Sequence, residues 1–242
     1  MNPIILIPAR MAATRLPDKP LADIGGLPMI VRVLRQAEAA GVGPVAVAAG
    51  DPEIVAAVRA AGGLAVLTDP LLPSGSDRIQ AALDALEHDA VINLQGDMPF
   101  VPGAIIADCA RLLEQQPSCD VATVVAAEAS PADRSNPDVV KAVLALDPGA
   151  TSGRALYFTR STLYGDAAIW RHVGIYGYRR QALARFIAAP PSPLERREKL
   201  EQLRGLEMGL SYWAAVADDA PISVDNPADL EAARIHAKDH DA

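Results

Sequence analysis

A chain of 242 residues fits one large domain, or one domain with a sub-lobe, and is long enough to bury a full core. Half of its residues are hydrophobic and only 4% aromatic, which suits helices packed on a parallel sheet and excludes a disordered or fibrous chain. A formal net charge of −8 argues against nucleic acid or an anionic membrane as partner, so the positive charge for any anionic substrate has to be concentrated at a site.

The first predicted element is a strand, Ile4 to Ile7, ended by Pro8 and apolar enough to be buried on both faces. A loop runs to about Pro28, and Met29 to Ala40 is a helix stopped by Gly41. The unit repeats: strand Val45–Ala48, helix Pro52–Ala61 closed by Gly62-Gly63, strand Leu64–Leu67, a helix capped by Ser76 and running to Glu87, strand Ala90–Leu94, and a helix from Pro102 to about Glu114. This alternation predicts an α/β fold with a doubly wound, mostly parallel sheet. Four strands follow without long helices between them, Val121–Ala126, Val139–Leu146, Ala155–Thr159 and Gly174–Tyr178, which predicts an antiparallel or mixed sub-lobe or a subunit contact. One helix over Pro193–Met208, a strand over Ser211–Val216, a last helix opened by Asn226-Pro227 and a polar tail from Lys238 complete the chain. With no repeat or low-complexity linker, the expectation is a single catalytic domain, 1–242.

Cys109 and Cys119 have neither metal-ligand spacing nor a disulfide framework, which reads as a reduced compartment. The N-terminus lacks a basic region before its apolar run, Arg10 interrupts that run, and no stretch approaches bilayer length. The expected location is the cytoplasm.

Ligands in open α/β sheets bind beyond the carboxyl ends of the strands. Four exits there carry chemistry. The first, Pro8 to Lys19, sets Arg10, Arg15 and Lys19 among small residues such as Ala9, Ala12 and Ala13, a composition able to hold a polyphosphate; it is neither a Walker A nor a GxGxxG sequence. The second, Pro73-Ser74-Gly75-Ser76-Asp77-Arg78, reads as a helix start whose amides suit a base carbonyl or phosphate, or as a cap alone. In the third, Gln95-Gly96-Asp97, a carboxylate at the end of a buried strand suits Mg²⁺ on a triphosphate, although Gly-Asp before a proline is also a good turn. The fourth, Val224 to Leu230, has a capping Asn226 and Pro227 at the first helical position, and leaves Asp225 to join Asp97 around a metal or to serve as a turn acid. Alternation over His172 to Tyr178 places His172, Gly174, Tyr176 and Tyr178 on one strand face, either a sugar-binding wall or a satisfied core histidine. Lys199, Glu201, Gln202 and Arg204 read from spacing as the polar face of a helix.

These segments, with Asn136-Pro137, Val140-Lys141, Ala155 to Arg160, Ser192 to Glu195, Leu200 to Arg204 and Val224 to Glu231, closely resemble the 3-deoxy-manno-octulosonate cytidylyltransferase family, in family order over nearly the whole chain. The resemblance implies the nucleotide-diphospho-sugar transferase-like, Rossmann-like form of the fold, with a nucleotide-binding core of 1–115 plus 210–237 and a sugar-binding and dimerisation sub-lobe of about 116–209. It implies that Pro8, Ala9, Arg10, Arg15, Lys19, Ser74, Gly75, Arg78 and Gln95 hold CTP. Asp97 and Asp225 would bind Mg²⁺, and Gln95, Arg160, His172, Tyr176, Glu201 and Gln202 would surround the acid sugar Kdo. Arg10, Lys19, Asp97 and Asp225 are the expected catalytic set, in a homodimer that makes CMP-Kdo and pyrophosphate for lipopolysaccharide biosynthesis. The chain departs from the family pattern at Met98, where an acid is common, in the short Ser161 to Gly165 segment, which lacks Ile-Pro, and at Gly50-Asp51, where Thr-Asp is common. Transfer to another acid sugar, such as an amino-Kdo or a sialic acid, and a non-catalytic CTP-binding regulator are the competing readings.

Overall fold

The structure, a computed structural model, describes residues 1–12, 16–127, 130–165 and 167–240. Strands β1 (Pro3–Ala9), β4 (Val45–Ala49), β5 (Leu64–Leu67) and β6 (Ala90–Asn93) are separated in sequence by β2 (Asp23–Ile24), β3 (Leu27–Pro28) and helices α1 (Met29–Ala39), α2 (Pro52–Ala60) and α3 (Gly75–Asp84). Then come α4 (Gly103–Gln115), β7 (Val121–Ala127), β8 (Lys141–Ala145), β9 (Ser152–Thr159), β10 (Trp170–Arg179), α5 (Arg180–Ala188), α6 (Pro193–Glu198), α7 (Gln202–Glu207), β11 (Tyr212–Ala217) and α8 (Pro227–His240). The expected α/β architecture, a parallel first half and antiparallel strands in the second, is the one observed.

The chain forms two compact units, and the division falls inside α4. One unit comprises residues 2–107 and the segment from Pro221 onward. Its four long strands are parallel in the order β5-β4-β1-β6. The run Ile5 to Ile7 has no exposed surface, as a strand flanked on both sides and both faces requires. The short hairpin β2-β3 is made by Gly25 and Gly26, both at positive φ (60° and 81°), the backbone a two-residue hairpin turn demands. Arg32 of α1 donates to Gly25 O (3.2 Å) and to Ile24 O, fixing that turn. Helix α8 returns to it: Leu230, Ala233 and Ala237 pack with Ile24, Met29, Leu16 and Val224 in one apolar cluster.

The other unit comprises Met1 and residues 108–220. β10 runs antiparallel to β7, β7 parallel to β11, β11 antiparallel to β9, and β9 antiparallel to β8. β8 also pairs with the start of β10, so the strand order returns on itself. Strand β11, expected with the nucleotide-binding core, pairs with β7 and β9 of this unit. Arg179 donates from Nη2 to Leu113 O (2.9 Å) and from Nε to Cys119 O (2.8 Å), closing the C-terminal end of α4.

Three local expectations need correction. The cap of α3 is Ser74, not Ser76: Ser74 Oγ accepts from Asp77 N (3.2 Å), while Ser76 is buried inside the helix, which ends at Asp84 instead of Glu87. The predicted helix 193–208 is two helices, because Lys199 takes a left-handed backbone (φ 56°) that ends α6 before α7 starts. Helix α5 has no counterpart in the sequence prediction. Among the described residues, no helix is long and apolar enough to cross a membrane.

Candidate active site

In the first unit the exits of β1 and β6 and the loop entering α3 converge on Pro8. A Cβ on Gly75 would lie 3.2 Å from Pro8 Cγ, and one on Gly96 would lie 3.0 Å from Pro8 O, so these two glycines are what let the three exits meet. Around them Pro8, Ala9, Arg10, Lys19, Gln95, Gly96, Asp97 and Asp225 line a cavity of about 410 Å³. Its chemistry lies in an ion triad: Lys19 Nζ is 3.0 Å from Asp97 Oδ2 and 3.6 Å from Asp225 Oδ1. Asp18, with φ 54°, turns the chain into the short helical turn Lys19–Leu21 that carries the lysine. Asp97 is fixed through its backbone, whose carbonyl accepts from Val224 N (2.9 Å), and Asp225 follows directly. Its N–H donates to Asp229 Oδ2 (2.8 Å), while Asn226 Oδ1 caps α8 by accepting from Asp229 N (3.0 Å). Burial pushes the Asp97 carboxyl above its usual range, with Lys19 opposing and Asp225 reinforcing the rise.

Among the described residues, no group of three or more His, Cys, Asp or Glu is placed to hold a metal ion. A divalent cation here would have the two carboxylates and substrate oxygens as ligands, and Mg²⁺ accepts one or two carboxylates with phosphate and water. The oxygen donors and the Lys19 ammonium already drawn between them fit that ion.

A second cavity, about 140 Å³, shares Pro8, Ala9, Arg10 and Gln95 and adds Leu72, Ser74, Gly75 and Arg78. Arg10 is exposed and faces both cavities. The loop behind it is tied down by Asp51, whose Oδ2 accepts from Met11 N (2.7 Å). Asp51 was noted in the sequence only as a departure from pattern; its role depends on β1 and β4 being neighbours. Met98, another of the three departures, is buried. Arg15 lies outside the described residues. Arg78 lines this second cavity yet is only 2% exposed, and its guanidinium donates to Thr68 Oγ1 (2.6 Å).

The remaining expected site residues belong to the second unit. His172, Tyr176 and Tyr178 do share a face of β10, although a bulge interrupts the ladder between Val173 and Tyr176. The bulge adds two residues and so keeps the alternation in phase. Thr123 fills it: Oγ1 donates to Ile175 O (2.8 Å) and lies 2.9 Å from His172 Nε2. The His172 ring packs on Phe158 (4.9 Å) and Tyr176 (5.3 Å), and burial pushes its pKa down to about 3. At neutral pH His172 is therefore an uncharged hydrogen-bonding group. Tyr176 is held protonated by burial, then by its neighbours Tyr212 and Glu201.

A half-buried, neutral histidine has a testable consequence. The unfolded chain takes up a proton near pH 6.5 and the folded one near 3, so lowering the pH through that window favours unfolding. Urea midpoints at pH 7, 5 and 4 are expected to fall less for His172→Gln than for the wild type. Parallel losses would show that His172 titrates normally.

Gln202, expected on a polar face, is buried at 5%, and so is Arg204 at 8%. Arg204 Nε and Nη2 pair with both oxygens of Glu195 (2.9 and 3.0 Å), and Nη2 also reaches Glu201 Oε1 (3.3 Å). Glu201 is thus oriented by Arg204. Arg160 donates from Nη1 to Pro137 O (2.9 Å), and its own amide donates to Glu198 Oε2 (3.2 Å). Two supporting residues, Lys141 and Glu198, were given no role by the sequence, although Val140-Lys141 belongs to the family resemblance. Lys141 is fully buried and donates to Asn136 O, Val139 O and Arg160 O (2.8 to 2.9 Å), and Glu198 also accepts from Thr159 Oγ1 (3.0 Å).

Comparison with known proteins bears on this arrangement. A sequence profile described as "Cytidylyltransferase" matches residues 4–214. A 3-deoxy-manno-octulosonate cytidylyltransferase of Rhodospirillum centenum is 54% identical over 239 residues, covering 96% of this chain and 92% of its own. One of Nitrobacter hamburgensis is 55% identical over 237 residues, covering 96% and 91%. Among solved structures, a CMP:2-keto-3-deoxy-manno-octonic acid synthetase complexed with CTP superposes with a TM-score of 0.92 at 37% identity, covering 99% of both chains. A nucleotidyl transferase of Methanothermobacter thermautotroptrophicus, 15% identical with a TM-score of 0.65 over 97% of both chains, shares the fold.

Proposed function

The chain belongs to the cytidylyltransferase family, among the 3-deoxy-manno-octulosonate cytidylyltransferases, and from that membership we propose that it transfers CMP from CTP to 3-deoxy-D-manno-octulosonate (Kdo), releasing pyrophosphate with Mg²⁺ as cofactor. The observation that carries the reading is the ion triad of Lys19, Asp97 and Asp225 in a cavity that Arg10 also lines. A site with two acids and two cations suits a triphosphate that arrives with its counter-cation, and suits poorly a neutral ligand.

The anomeric C2 hydroxyl of Kdo attacks the α-phosphorus of CTP in line. A C2–O–P bond forms, the bond from the α-phosphorus to the bridging oxygen of the leaving group breaks, and the hydroxyl proton passes to solvent. Arg10 and Lys19 take the β- and γ-phosphates and neutralise the departing pyrophosphate. Asp97 and Asp225 would hold Mg²⁺, which when bound supplies charge neutralisation at the α-phosphate. The base end of the nucleotide takes the smaller cavity, where Leu72 and Pro8 offer apolar walls and no carboxylate competes. On the sugar side, His172 and Tyr176 are both uncharged at neutral pH, so they hydrogen-bond to Kdo hydroxyls, and the sugar carboxylate falls to Arg160. Most of the rate enhancement then comes from positioning and electrostatics. The same reading implies a cytoplasmic homodimer that supplies lipopolysaccharide synthesis.

The test is pyrophosphate release from CTP and Mg²⁺ with and without Kdo, and with an amino-Kdo and a sialic acid in parallel. Release that needs Kdo is the expected result. Release independent of any acceptor, or none with any acid sugar, would sink the reading, the latter pointing to a CTP-binding regulator.

A further inference from the structure

Arg78 belongs to the residues expected to hold CTP, yet its surroundings give it another task. Its Nη1 donates to Thr68 Oγ1 (2.6 Å) and Asp69 O (3.1 Å), and its Nη2 to Pro70 O (3.4 Å). Thr68 is itself bound twice to the end of β4, through N (2.8 Å) and Oγ1 (3.0 Å) to Ala49 O. Asp69 Oδ1 accepts from Leu71 N (2.8 Å), which continues the turn toward Leu72 in the cavity wall. Gly50 stands against the guanidinium: a Cβ there would lie 2.7 Å from Nη1, 3.1 Å from Cζ and 3.2 Å from Nη2. One buried side chain thus joins β4, the 68–72 turn and the first turn of α3.

We propose that Arg78 is a positioning residue that sets the wall of the nucleobase pocket through the Thr68–Pro70 turn, with Gly50 reserving the space its guanidinium needs, and that this bracket governs which base is accepted. The inference rests on the reading of the smaller cavity as the base end of a CTP site. Although Arg78 borders the cavity, three of its hydrogen bonds end on the chain and the residue is only 2% exposed, which leaves it more a bracket than a phosphate donor.

Gly50→Ala is the discriminating variant, because the group that must yield is the end of a flexible side chain and the variant adds nothing to the cavity lining. Arg78→Lys keeps the charge and loses the bracket. Dissociation constants of CTP, CMP and UTP are measured by calorimetry on the full chain, with thermal melting as the folding control and steady-state kinetics with Kdo. Expected for both variants is weakening of CTP and CMP by the same factor, about three- to tenfold, the value of one or two displaced hydrogen bonds. A raised KM for CTP at unchanged kcat and a smaller preference for CTP over UTP accompany it. Weakening confined to CTP, with CMP unaffected, would make Arg78 a phosphate ligand and overturn the proposal. Wild-type constants in a folded Gly50→Ala protein would overturn it equally, and that variant decides the matter if Arg78→Lys does not fold. Because binding is read without Kdo, a wild type that binds CTP but activates no sugar fails the functional reading alone; a wild type that binds no CTP fails both.

Discussion

Asp97→Asn is expected to lower kcat for Kdo-dependent pyrophosphate release by about 10³-fold while the protein stays folded. The substitution keeps the shape of the side chain and deletes one of the two negative charges around Lys19. On the proposed reading, several kcal/mol of transition-state charge stabilisation would depend on a cation held at this point, and about 4 kcal/mol corresponds to a thousandfold in rate. Lys19 has a further bearing on the outcome. With its 3.0 Å contact to the Asp97 carboxylate weakened and only Asp225 left as an anionic partner, its ammonium has more to give the triphosphate, so CTP binding measured in the presence of a chelator is expected to persist or to tighten. That combination separates a defect in catalysis from a collapsed site. A variant retaining more than a tenth of wild-type turnover would remove Asp97 from the mechanism.

Arg204→Ala is expected to cost about 3–5 kcal/mol of stability, the range found when one member of a buried ion pair is deleted. The side chain is 10% exposed and its partner Glu195 15%, and their two contacts of 2.9 and 3.0 Å form a bidentate fork. The guanidinium also lies 4.5 Å over the Phe186 ring, and Nη1 donates to Ala189 O (3.1 Å), a carbonyl at the end of α5 that has no helical partner. Truncation strands the Glu195 carboxylate and that carbonyl together. Glu195 does retain bonds as the partner of Ser192 in the capping box of α6, which limits the loss. Urea denaturation measures the effect, and Glu195→Gln combined with Arg204→Ala is expected to recover part of it. A midpoint within error of the wild type would show that the fork contributes nothing net.

Much of the fold could be read before any coordinates, and the reasons are local. Strands such as Leu64–Leu67 and helices such as α1 carry their periodicity and their stop signals within a dozen residues. The hairpin at Gly25-Gly26 had such a signal and went unread. Helix α5 had a weaker one, since Ala182, Leu183 and Phe186 have helical apolar spacing, but it opens at Arg179 with no capping side chain. The break at Lys199 had none, because a lysine at positive φ is held there by surrounding packing and not by its own preference. The expected cap Ser76 gave way to Ser74 because a hydroxyl two residues earlier serves as well, and the path of the preceding loop brought Ser74 Oγ, not Ser76, to Asp77 N.

The sequence alone determined the inventory of the candidate site: four strand exits, their cations and carboxylates, and a family order that named CTP and an acid sugar. The exits and their charges follow from residue type and spacing, which the chain carries in one dimension, whereas CTP and the acid sugar are what the family resemblance implies. The tertiary structure decided what each group is free to do. It drew Lys19 between two acids 78 and 206 positions away, turned Arg78 inward, made His172 neutral, and buried Gln202 and Arg204 instead of leaving them on a polar face. Those outcomes depend on desolvation and on partners distant in sequence, and neither exists until the strands and helices have packed.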